Sequence, residues 1–167
     1  MKAILKMAVP LLALMAGCRA YTWTSSVPAE LRRVAVPTFR NESDVTELGS
    51  VVTRQVLREF QREGTFAIAS TGDCAIEVQG VLKEAGQHVV AYERKTGLRN
   101  REHRLSVVAE VSFINKRTGE VLVNDRRYRA QTTFLADDDI LTGQRDASGR
   151  IAEELARQIV DDALTIK

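Results

Sequence analysis

The clearest alternation in the chain runs from Arg99 to Asn115. Leu105, Val107, Ala109, Val111 and Phe113 fall on one side, and Arg104, Ser106, Val108, Glu110 and Ser112 on the other. A period of two over that length predicts a strand with one buried face. Lys116-Arg117-Thr118-Gly119 then predicts a hairpin turn, with a glycine available for positive φ, and Glu120–Phe134 the returning strand. Upstream, Cys74, Ile76 and Val78 alternate with Ala75, Glu77 and Gln79, and the strand is expected to continue to about Arg94. Gly80 and Gly86 inside it suggest bends or bulges. Lys95-Thr96-Gly97 reads as the turn between these two long strands.

Elsewhere the spacing is helical. Leu48, Val52, Val56 and Phe60 form one stripe, with Val45 and Leu57 beside it, which predicts a helix over about 45–62. Asp44 and Glu47 have the spacing of a capping box, and Gly64 should stop the helix. Ile151, Leu155 and Ile159, widened by Ala152, Ala156, Val160 and Leu164, predict a terminal helix reaching about Ile166. Arg33–Phe39 is a short strand that Pro37 either ends or confines to an edge. Phe66–Ala69 is another. The order is β-α-β-β-β(-β)-α. This predicts an α+β two-layer sandwich, with two helices covering a mostly antiparallel sheet of four or five strands. If the first β-α-β unit is parallel, its crossover should be right-handed.

The amino-terminal stretch is organised differently. Lys2 and Lys6 precede an apolar run, Met7–Ala16, followed by Gly17 and Cys18. This is the layout of a secretory signal, and the run is short of the roughly 20 apolar residues that a spanning helix needs. Met15-Ala16-Gly17-Cys18 resembles the lipobox of bacterial lipoproteins, with Met where Leu is usual. The resemblance implies cleavage before Cys18 and acylation of its sulfur and new amino terminus. Two or more chains anchor stably, at about 0.8 kcal/mol per buried CH₂. Arg19 after the cysteine favours outer-membrane sorting over retention. The expected organisation is a signal peptide over 1–17, a lipidated tether over 18–31 and one domain over 32–167. Tyr21 and Trp23 of the tether could sit at the lipid interface or pack on protein.

Charge narrows the function classes. The chain has 167 residues and a net charge of +2. Without Lys2 and Lys6, 22 basic residues balance 22 acidic ones, so no global basic field for nucleic acid is expected. With Cys18 acylated, Cys74 lacks a partner in the chain. It reads as a small buried hydrophobe, or else as half of an intermolecular disulfide. His88 and His103 do not have metal-ligand spacing. Asp137-Asp138-Asp139 lacks the calcium-loop pattern. No nucleophile elbow, phosphate-cradling loop or carboxylate pair stands out, so neither enzyme, cofactor nor metal is expected. What remains is arginine. Arg94, Lys95, Arg99, Arg101 and Arg104 surround the first hairpin tip, and Arg126, Arg127 and Arg129 lie on the last strand, where Arg127 and Arg129 share a face. Guanidinium groups bind phosphate bidentately, so Arg94, Lys95, Arg99, Arg101, Arg127 and Arg129 are candidate glycolipid or partner contacts. The same charges could serve only to solubilise strands and protect an edge.

The lipobox at Cys18, the strand VAVPTFRNES, the helix end REFQREGTFAIAS, the run CAIEVQGVL, the hairpin LSVVAEVSFINKRTGEVL and the terminal amphipathic helix together resemble the lipopolysaccharide-assembly lipoprotein family, LptE. That resemblance implies a small α/β sandwich lipid-anchored at the periplasmic face of the outer membrane. It implies a large β-barrel partner (LptD-like), which the lipoprotein helps assemble and plugs, and delivery of lipopolysaccharide to the cell surface. VAVPTFRNES also resembles the first strand of curli-secretion lipoproteins and of lipoprotein activators of peptidoglycan synthases, which would bind protein instead of glycolipid. The long hairpin followed by a single terminal helix favours the first family.

Overall fold

The computed structural model describes residues 27–95, 98–136 and 140–166, with side chains for all of these except 90–95, 98–101 and 136. The signal segment, Cys18, the tether up to residue 26, the 96–97 turn and Asp137–Asp139 lie outside the described residues. Val27 and Leu31 are buried, and a 3₁₀ turn spans Ala29–Leu31. The last residues of the expected tether therefore already pack on the core.

The alternating segments form one sheet. Its strands are β1 (Arg33–Ala35), β2 (Arg40–Asn41), β3 (Ala67–Ile68), β4 (Ile76–Lys95), β5 (Leu98–Asn115) and β6 (Val121–Ala136), in spatial order β3-β1-β4-β5-β6, with β2 also pairing β4. The sheet is mixed and mostly antiparallel, as expected, and has six strands where four or five were expected, two of them only two residues long. The pairs β1–β3, β1–β4 and β2–β4 are parallel, and β4–β5 and β5–β6 antiparallel. Pro37 explains part of the difference. The first strand stops before it, the chain steps away, and pairing to β4 resumes at Arg40 as β2. β1 is not an edge strand, because β3 pairs on its other side.

Two helices cover one face: α1 (Leu48–Glu63) and α2 (Ile140–Ala163). The core between layers joins Val52, Val56 and Phe60 of α1, Ile151, Leu155 and Ile159 of α2, and Leu105, Val107, Val111 and Phe113 of β5. Burying each such side chain stabilises by about 1.5–3 kcal/mol. α1 starts three residues later than the periodicity predicts. Asp44 and Glu47 form no capping box. Glu47 is the N-cap, in a left-handed conformation without a side-chain cap bond. Instead Asn41 organises the approach: its Oδ1 accepts from the Ser43 N–H and its Nδ2 donates to the Val45 carbonyl. Gly64 ends α1 at φ 84°, as expected.

The bulges of β4 lie elsewhere than its glycines suggest. Register shifts fall between Leu82 and Glu84 and between Val89 and Ala91. Gly80 serves a close approach: a Cβ there would lie 2.3 Å from the ring of Phe39. Cys74 precedes β4 and is only partly buried, its Sγ donating to the Thr71 carbonyl at 3.4 Å. It is therefore not the fully buried hydrophobe expected, because the turn at Ser70–Asp73 holds it at the sheet's rim.

Candidate binding surface

The helices leave the other sheet face without a second layer. Antiparallel register arranges its residues in rows across β4, β5 and β6: Val81, Glu110, Arg127; then Glu84, Val108, Arg129; then Gly86, Ser106, Gln131; then His88, Arg104, Thr133. Directly opposed residues share a face, so each row is a contiguous strip.

The first row belongs to a ladder of charge. Arg40 pairs with Glu42 at 3.2 Å, Glu42 with Lys83 at 3.0 Å, Lys83 with Glu110 at 3.8 Å, and Glu110 with Arg127 at 2.8 Å. The Lys83 hydrogen bond holds the Glu42 carboxyl below its usual range. Arg127, a candidate glycolipid or partner contact from the sequence, is thus already paired with Glu110. Toward the hairpin the balance changes. Arg104 and Arg129 are exposed and carry no ion pair among the described residues. Between them lie the small residues Gly86 and Ser106, and the His88 Nε2 sits 3.2 Å from where a Gly86 Cβ would be. Arg104 and Arg129 are anchored four residues apart along β5, about 13 Å, so two guanidinium groups flank a shallow polar strip.

The sequence-predicted cations do not gather in one place. Arg94 pairs with Arg99, Lys95 with Leu98, and Arg101 with Tyr92 and Ala136. These four belong to the hairpin tip, beyond or at the end of β6. Arg129 pairs with Val108, seven residues along β5 from Arg101, about 24 Å away. Their side chains lie outside the described residues, and the backbone alone places them. Of the residues in these rows, the sequence groups Arg104 with the tip, weighs His88 only as a metal ligand and does not mark Gln131. Strand parity assigns Arg104 to the open face, but the rows that align it depend on the bulges.

Exposed apolar side chains also concentrate toward this end. Leu135 is 60% exposed, Leu141 66%, Ile140 42% and Val89 42%. Behind them His103 is buried, stacked on Phe134 at 5.4 Å, with its Nδ1 3.0 Å from Gln87 Nε2. This end is opposite the one where the described chain begins. β1 is parallel to β4, which runs about 60 Å from Ile76 to the hairpin tip, so the chain arriving at Val27 joins at the far end. The arrangement brings two guanidinium groups and exposed apolar side chains to the same end of the sheet. Among the described residues no group of three His, Cys, Asp or Glu could hold a metal, and no helix is long and apolar enough to cross a membrane.

The family model described as LptE, lipopolysaccharide-assembly, matches residues 31–163. No curated protein sequence matches the chain. Among solved structures, the chain resembles a hemagglutinin homologue, described as neuraminyllactose-binding, from Helicobacter pylori (8% identity, covering 86% of this chain and 89% of that one, TM-score 0.55). It also resembles lipoprotein B from Nitrosomonas europaea (12% identity, 89% and 88%, TM-score 0.51). A lipoprotein from Caulobacter crescentus CB15 aligns at 18% identity over 77% and 88%, with a TM-score of 0.49. At these identities the likeness concerns the fold alone.

Proposed function

The chain belongs to the LptE lipopolysaccharide-assembly family, and from that premise we propose that it is an outer-membrane lipoprotein supporting and plugging the translocon barrel that delivers lipopolysaccharide to the cell surface. Lipid on Cys18 holds it to the periplasmic face. The barrel is the protein partner, and the glycolipid is the cargo. The observation carrying the glycolipid part is the hairpin half of the domain, where Arg104 and Arg129, without an ion pair among the described residues, share the open face with the exposed Leu135. Phosphates would meet the guanidinium groups, and acyl chains the apolar rim. Arg94, Lys95, Arg99 and Arg101 extend the same basic end. Arg127 contributes less, because Glu110 already neutralises it.

An affinity pull-down from solubilised outer membranes, followed by mass spectrometry, tests this reading. A stoichiometric large β-barrel with bound lipopolysaccharide is expected. A peptidoglycan synthase, or a ring of identical subunits, would replace it with the regulatory or secretion reading. Arg104→Glu with Arg129→Glu should weaken lipopolysaccharide binding about tenfold or more, with the difference shrinking as salt screens it. Equal binding by the variant would remove the open face from the glycolipid site. Cys18→Ser should yield an unlipidated precursor, and a lipid-labelled variant would refute the anchor.

A further inference from the structure

Along one side of β4 the pairing is interrupted. β1 pairs with it up to Ala35, opposite Glu77, and β2 resumes at Arg40, opposite Val81. Residues 36–39 thus pass only Val78, Gln79 and Gly80, a bulge of one residue. Main-chain groups of a strand turn alternately to its two neighbours. The Glu42 N–H donates to the Leu82 carbonyl at 2.9 Å, so Gly80 and Val78, two and four residues back, turn theirs to the same side. There the Val78 carbonyl and the Gly80 N–H meet no partner among the described residues. The register of β1 would bring Pro37 to them, but proline has no N–H. The register of β2 would bring Thr38, but the chain is drawn off toward α1. The Phe39 N–H donates to Thr53 Oγ1 at 2.9 Å, and Thr53 in turn donates to the Gly49 carbonyl at 2.7 Å. The Phe39 ring, against Gly80, closes the gap on the core side.

On the open face the gap is a cleft of about 230 Å³, lined by Pro37, Thr38, Arg40, Glu77, Gln79 and Gly80. Glu77 is 5% exposed and lies at its wall. Its Oε1 accepts from Gln79 Nε2 at 2.5 Å. The Lys116 ammonium stands 3.0 Å from its Oε2 but off the lone-pair direction, so that oxygen has no aligned donor. Buried polar groups are nearly always paired, so three unmet groups around one cleft call for an occupant.

The geometry fixes the chemistry of that occupant. The Val78 carbonyl and the Gly80 N–H flank one residue and point the same way. In parallel pairing, the N–H and carbonyl of a single extended residue meet both. An acetamido group cannot, because its N–H and C=O point to opposite sides of a trans amide. The side chain of such a residue falls on the face of Gln79, beside Glu77. There a hydrogen-bond donor satisfies Oε2, and a carboxylate is repelled. We infer that the gap is a docking notch for an extended segment of a partner protein, which supplies one residue as the missing rung and a donating side chain to Glu77. The notch lies at the end of β4 away from the hairpin, apart from Arg104 and Arg129. The inference goes beyond the assembly role and does not depend on it.

Amide NMR of the full-length protein in detergent micelles tests this with blocked single residues. Acetyl-asparagine methylamide should shift the Gly80 N–H resonance in a saturable way. Acetyl-proline methylamide lacks the N–H that the Val78 carbonyl needs. It should bind about tenfold more weakly, the factor that one hydrogen bond is worth. Acetyl-aspartate methylamide should lose a similar factor. Glu77→Gln should erase the difference between the asparagine and aspartate probes and keep the one against proline. N-acetylglucosamine should leave Gly80 unmoved. If the asparagine probe does not move Gly80, the gap holds water alone and the inference is overturned. Equal shifts from the proline probe or from N-acetylglucosamine would overturn it as well. If Glu77→Gln loses its cooperative melt, the asparagine and proline probes on the wild-type protein decide between the same outcomes.

Discussion

Gly80 sits under the aromatic ring of Phe39, and Gly143 approaches Phe134, where a Cβ would lie 2.7 Å from the ring. Both glycines make room instead of bending the chain. Gly80→Ala should therefore overpack the β2–β4 junction and lower stability by about 1–3 kcal/mol in chemical denaturation. An unchanged midpoint would show that the Phe39 ring yields freely. Tyr128 gives a second test. Burial, then its hydrogen bond to Asp162, pushes its hydroxyl pKa well above the ordinary value. The folded state keeps a proton that the unfolded chain releases near pH 10. The stability it adds is complete below that pH and is lost as pH rises above it. Wild type should lose melting temperature above pH 10 more steeply than Tyr128→Phe; parallel curves would sink the assignment. Glu77 runs the other way. It is 5% exposed, and bonds from Gln79 and then Lys116 hold its carboxyl below the usual range. Its contribution is present above about pH 4.3, the unfolded value, and is lost as pH falls through the lower folded one. Glu77→Gln should flatten the acid limb of the melting curve, and an unaltered limb would show that Lys116 contributes nothing there.

Among the elements, α2 has two jobs on two faces. Ile151, Leu155 and Ile159 close the core, while the row at 150, 154, 158 and 162 runs along β6. Leu155 is fully buried, so Leu155→Ala should cost about 2–5 kcal/mol. Leu155→Asp should abolish the cooperative melt by burying an unpaired charge. A retained transition in the Asp variant would place that stripe outside the core. The periodicity that found α1 and α2 was strong because each buries one stripe. The start of α1 was misplaced because the Asn41 side chain occupies the preceding turn, an interaction that spacing does not reveal. The two-residue strand β2 is equally hard to see, since it is too short to show alternation, whereas β3 falls inside the strand expected at Phe66–Ala69.

For the whole molecule, topology sets both polarity and folding speed. β1 must find β4 about forty residues away, and in parallel, while β4, β5 and β6 are neighbours in sequence. Non-local parallel pairing closes long loops before any contact forms, so refolding in milliseconds to seconds is expected by stopped-flow fluorescence. A microsecond phase accounting for the full amplitude would contradict that ordering. The same topology places Val27, where the described chain begins, and the basic hairpin at opposite ends of β4.

Sequence by itself determined the two amphipathic helices, the long β4–β5–β6 meander and the buried set Leu105, Val107, Ala109, Val111 and Phe113. Each of these is written in a local period, and a period is preserved whatever the element packs against. The elements also keep their expected order, and the match of the family model over residues 31–163 carries the family membership. Tertiary structure alone decided the sixth strand and the parallel pairs, the pairing of Arg127 with Glu110, and the separation of Arg129 from the hairpin tip. It also decided the alliance of α2 with the β6 edge. These depend on register, and register is set by two bulges in β4, by the irregularities at Val111–Ile114 between β5 and β6, and by one detour around Pro37. A single inserted residue shifts every later side chain against its neighbours without altering the alternation along the strand.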